Sequence, residues 1–175
     1  SISNTINVTA AFNAIEVHHA SSIVEWTAIN ISALGTLSKG TFEAIANATI
    51  TKDTCVFTDM NTFVYQSNST LTSTTYRRCG LVTQAGATFT DCTFDASVNT
   101  PALLATDLGL ITGTHFESAG TGHAMELSAT GTYSWTDNTV NGYGATATTD
   151  AVIYNNSGGL ITINVNGGAT VGAVT

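Results

Sequence analysis

Asp95 and Glu117 are the two side chains whose types and spacing come nearest to a reaction. Each directly follows a phenylalanine, in "TFD" and "HFE", and the equivalent place in neighbouring text is held by Thr58, Arg77 and Asn141. If these segments are successive coils of one stack, the two carboxylates lie one rung apart, about 5 Å, with Arg77 beside them. Such a pair suits the nucleophile and acid of retaining glycoside hydrolysis, or a calcium site. The plainer reading is a solvated acidic face in which Arg77 balances Asp95, a cross-strand pair worth under about 1 kcal/mol.

The remaining reactive types are scattered. His18 and His19 are adjacent and so point to opposite faces of a strand, which does not suit one metal ion. His115 and His123 stand alone in the text. Cys55, Cys79 and Cys92 match no zinc spacing, and three thiols cannot all pair. Arg77 and Arg78 are two adjacent cations on a chain of net charge −8, a poor groove for a polyanion. The sequence contains no nucleophile elbow, phosphate loop or His-x-x-x-His pair. Trp26, Tyr65, Tyr76, Tyr133, Trp135, Tyr143 and Tyr154 are candidates for a sugar-stacking platform, with the core as the default reading. No catalytic, cofactor or metal residue is therefore assigned. Asp95, Glu117 and Arg77 remain the candidates if the chain is an enzyme.

Composition narrows the partners. Lys39, Lys52, Arg77 and Arg78 are the only basic side chains besides histidine, too few to neutralise phosphates, so nucleic acid is not expected. No run approaches the ~18 apolar residues of a membrane span, and the opening "SISNTINVTA" lacks the regions of a signal peptide, so the chain reads as soluble. The Asn-x-Ser/Thr triplets at Asn7, Asn30, Asn47, Asn68 and Asn155 are what a Thr- and Asn-rich chain produces by chance.

The elements that would position these residues follow from a repeat. Charged residues make up 9% of the chain and one residue is proline, a β rather than a helical composition. An apolar residue, two spacers, a small residue, one spacer and a second apolar residue recur. The triplets are Trp26/Ile29/Ile31, Lys52/Cys55/Phe57, Leu71/Thr74/Tyr76, Phe89/Cys92/Phe94, Ile111/Thr114/Phe116 and Trp135/Asn138/Val140. Their last members are separated by 26, 19, 18, 22 and 24 residues. Each repeat carries a further apolar run, as in "TFVYQ", "CGLVT", "PALLA", "HAMEL" and "DAVIY", joined by Gly, Asn, Asp and Ser turns. This predicts an all-β fold, a right-handed parallel β-helix of about six to seven coils.

In that register the middle residues form an internal ladder. Cys55 and Cys92 are separated by Thr74, about 10 Å, which predicts free thiols for that pair. Lys52 occupies an otherwise apolar position. Because an unpaired buried ammonium is costly, the preferred expectation is a two-residue bulge that turns Ile50 inward in its place, the alternative being irregular first coils. Residues 1–175 read as one β-helix domain, with 1–25 as an N-terminal cap or arm and 159–175 as a terminal strand or coil. Neither end shows a charged capping helix, so the ends are expected to be covered by neighbours, other copies included.

Laid out in coils, the text resembles a family of right-handed β-helix structural proteins of tailed bacteriophages. The matching phrases run from about Trp26 to Gly168, and "YRRCG" and "YNNSGG" are the most specific of them. The resemblance implies a non-enzymatic virion component, a capsid decoration or a tail or fibre part, often trimeric, partnered by its own copies and other virion proteins. It brings no catalytic residues and no cofactor. The alternative is a β-helix that binds or degrades a surface polysaccharide, an adhesin or depolymerase.

Overall fold

A computed structural model describes residues 5–7, 13–17, 21–33, 41–44, 48–97, 101–118, 122–143 and 149–170. His18, His19, Lys39 and Asn47 lie outside the described residues, as do 171–175. All regular structure among the described residues is β-strand, and every strand pairing is parallel. Each sheet collects every third strand of the chain, which makes a three-sided solenoid.

Sheet A runs through Asn30–Ser32, Val56–Thr58, Thr75–Arg77, Thr93–Ser97, His115–Ser118 and Thr139–Asn141, with Thr5–Asn7 and Ala169–Thr170 outermost. Sheet B runs from Asn13–Val17 to Ile153–Asn155, and sheet C from Ile23–Thr27 to Ile161–Asn166. Among the described residues the three hold eight, seven and seven strands, a coil count slightly different from the six to seven expected.

The register anticipated from the triplets is the one observed. In sheet C, Trp26, Lys52, Leu71, Phe89, Ile111 and Trp135 pair in succession. In sheet A, Ile31, Phe57, Tyr76, Phe94, Phe116 and Val140 do the same. Strand alternation turns these columns inward, and the rings of Phe57, Tyr76, Phe94 and Phe116 stack in sequence at 5.5, 5.1 and 4.9 Å between centroids.

Between sheets C and A the chain turns sharply through one left-handed residue per coil. Ala28, Thr54, Ser73, Asp91, Gly113 and Asp137 have φ of 54, 54, 48, 52, 60 and 53°. Strand pairing nevertheless continues through the bend. Thr54 N donates to Thr72 O, Ser73 N to Thr90 O and Asp91 N to Thr112 O, each at 2.9 to 3.0 Å. Gly113 has a reason of its own to be glycine. The left-handed region costs an ordinary side chain about 1–2 kcal/mol, and a Cβ on Gly113 would overlap Asp91 Oδ1 of the preceding coil.

The next residue of each coil is the internal ladder, and it completes the hydrogen bonding of the corner. Cys55, Thr74, Cys92, Thr114 and Asn138 are all buried. Cys92 Sγ lies 3.5 Å from both Leu71 O of the coil below and Thr90 O of its own coil, and Thr74 Oγ1 donates to Thr72 O at 3.1 Å. Asn138 accepts from Thr114 N at 2.8 Å and donates to Ile111 O at 3.0 Å. Small donors therefore stand at this bend because a buried carbonyl left without a partner costs about 1–3 kcal/mol.

Candidate functional site

The outward column of sheet A holds the candidate residues. Thr58, Arg77, Asp95, Glu117 and Asn141 pair one rung after another, so Asp95 and Glu117 are neighbours and Arg77 lies on the far side of Asp95. Both carboxylates are already engaged. Arg77 Nε donates to Asp95 Oδ2 at 2.8 Å, with side-chain exposures of 50% and 34%. Glu117 accepts from Asn141 Nδ2 at 2.9 and 3.0 Å on its two oxygens. His115 Nε2 lies 3.3 Å from Glu117 Oε2 while its Nδ1 meets Thr139 Oγ1 at 2.7 Å.

This is the geometry of cross-strand pairing on an outward sheet face. Nucleophilic or acid catalysis asks for a carboxylate aimed at a substrate position, and here each is turned along the sheet toward the adjacent rung. His115, isolated in sequence, is brought to Glu117 by strand alternation, since residues two apart share a face.

Arg78 does not join Arg77. It sits at a second left-handed column, with Asp59 and Ala96, at φ of 47, 58 and 52°. Its Nε and Nη2 donate to the two oxygens of Asp59 at 2.8 and 2.9 Å, a bidentate fork across one coil. Sequence reasoning missed this pair. The signal was the 19-residue separation, one coil of the Cys55-to-Thr74 length. The buried Cys79 follows it, with Sγ 3.4 Å from Phe57 O. Burial pushes the Cys79 and Cys92 thiols up to about 12, which leaves them protonated and unreactive at neutral pH.

The aromatic side chains named as a sugar platform do not form one. Tyr65, Tyr76, Tyr133, Trp135 and Tyr143 are buried and Trp26 is half-buried. Tyr154 is stacked at 4.4 Å on the buried His123, whose Nδ1 accepts from Ala151 N at 2.9 Å.

Lys52 departs most from expectation. The bulge that was to spare it burial is absent: the Ile23–Thr27 and Thr49–Asp53 strands pair without a register shift, and both Ile50 and Lys52 point inward at 0% exposure. The reason is a cage of aromatic rings. Nζ lies 3.2 Å from the Phe42 ring centroid and 4.6 to 4.7 Å from those of Phe57, Trp26 and Tyr65. It donates to Tyr65 Oη at 2.8 Å, and that oxygen also accepts from Tyr76 Oη at 3.0 Å. Desolvation holds the Lys52 amine well below the usual lysine range and pushes both phenols well above theirs.

No family model, curated protein or solved structure matches the chain. Among the described residues no group of three or more His, Cys, Asp or Glu side chains is placed to hold a metal ion.

Proposed function

We propose that this chain is a structural and assembly module of a bacteriophage particle, part of a capsid decoration or of a tail or fibre, built as a stiff β-solenoid and working without catalysis. The observation that supports this reading most is the state of the candidate acid pair. Asp95 is tied to Arg77, and Glu117 to Asn141 and His115, so the outward face spends its polar groups on holding adjacent coils together. Pairing that continues through the corners, over the apolar column of sheet A, joins each of these coils to the next.

An apolar edge supports the assembly part of the reading. Leu160 and Val165 are 87% and 67% exposed, whereas Trp135, one rung below Val165, is 2% exposed. Repeat solenoids need such a rung covered, and further chain, a trimer partner or a neighbouring particle protein would cover it.

The test is the solution mass by light scattering after size exclusion, with and without EDTA, followed by incubation with bacterial surface polysaccharides. The expected result is a trimer indifferent to EDTA that leaves the polysaccharides intact. A monomer that cleaves one of them, and loses that activity on Asp95→Asn or Glu117→Gln substitution, would establish the polysaccharide-degrading alternative.

A further inference from the structure

Lys52 is a chemistry-bearing side chain for which the scaffold reading has no use. Every other inward member of its column is Trp26, Leu71, Phe89, Ile111 or Trp135, and a leucine or phenylalanine would fill the place without bringing an amine into the core. The cage is assembled from two successive coils. Trp26 comes from the coil below and Phe57 from sheet A of its own coil, while Tyr76 of the next coil meets the cage through the Tyr65 hydroxyl. Phe42 and Tyr65 come from two adjacent strands of sheet B.

The titratable groups facing the amine are neutral ones. They are the Tyr65 and Tyr76 phenols and the Cys55 thiol, with the Cys79 and Cys92 thiols beyond the phenols. The nearest described carboxylates on its own and the adjoining strand, Asp53 and Glu25, occupy outward positions. An ammonium here would have one oxygen acceptor and ring faces for its remaining protons. The ring faces return part of the cost of desolvating that charge, and among the described residues no carboxylate is paired with it.

We propose that Lys52 is an acid-sensitive latch for the coils around it: uncharged while the cage is closed, it takes up a proton when those coils part, so a fall in pH favours the open form. The sign follows from linkage. Between the closed-state value and the ordinary lysine value of about 10.4, the open coils bind one proton more than the closed ones. Within that window the opening equilibrium rises about tenfold for each unit of pH lost, and it levels off once the closed form also protonates. A solenoid permits the response to be local, because each coil is stabilised by its immediate neighbours and not by one global core.

Two measurements decide it. Lys39 and Lys52 are the only lysines, so a Lys39→Arg variant carrying lysine labelled at Cε gives one NMR signal whose midpoint is that of Lys52. A midpoint far below 10.4 is expected, and an ordinary lysine midpoint overturns the proposal.

The second uses the two tryptophans, Trp26 in the cage and Trp135 five rungs above Trp26 in the same column. Urea transitions are followed in Trp135→Phe, which reports Trp26, and in Trp26→Phe, which reports Trp135. The Trp26 transition should fall to lower urea as pH drops while the Trp135 transition holds, and Lys52→Met should abolish that dependence. Transitions that move together, or a dependence that survives Lys52→Met, overturn it. If Lys52→Met does not fold, the NMR midpoint stands as the deciding result.

Discussion

Phe94 and Asp95 are consecutive residues on opposite faces of one strand, and their columns make different contributions. Phe94 stacks between Tyr76 and Phe116 with ring planes 12° and 4° apart, closed to water on all sides. Asp95 pairs with Arg77 in a half-exposed bridge. Both columns repeat at the same spacing and both join the same coils. Burial separates them: dispersion and the hydrophobic effect act at full strength inside, whereas water and salt weaken a charge pair outside. Stability should therefore lie on the inner face, and the outer face should tolerate change.

The strongest test of that contrast is Phe94→Ala. It removes a ring from the middle of the stack and should lower unfolding free energy by about 3–5 kcal/mol, read from urea denaturation. The corner ladder comes next. Asn138→Ala strips a partner from Thr114 N and from Ile111 O, both buried, and should cost about 2–3 kcal/mol. Smallest is Arg77→Ala on the outer face, with a loss under about 1 kcal/mol that shrinks further in 1 M salt. A loss from Arg77→Ala that equals that of Phe94→Ala would erase the distinction between the two faces.

The sheet columns were readable because a large apolar residue recurs at fixed distance from a small one while loop lengths vary. Those same columns placed Asp95 beside Glu117 without any knowledge of the coil's shape. Lys52 was misjudged for a physical reason. Its cage draws Phe42 and Tyr65 from sheet B, where "TFVYQ" shows alternation but not which wall each ring faces, so the amine looked unpartnered. The left-handed columns were invisible for another. Ala28, Thr54 and Arg78 have no preference for positive φ, and they adopt it because pairing continues through the corner. With those columns hidden, Arg78 read as a companion of Arg77, when the bend turns it toward Asp59.

The register carries the rest of the account, since it makes Asp95 and Glu117 neighbours and encloses Lys52. It places Thr74 on the rung between Cys55 and Cys92, within disulfide reach of each, and keeps those two cysteines out of reach of one another. The most direct measurement is peptide mapping of the Thr74→Cys variant after refolding under oxidising conditions, beside the unsubstituted chain. A bond from position 74 to Cys55 or Cys92, with Cys55 and Cys92 unbonded in the unsubstituted chain, is the result expected. A Cys55–Cys92 bond in the unsubstituted chain would contradict the register and everything built on it.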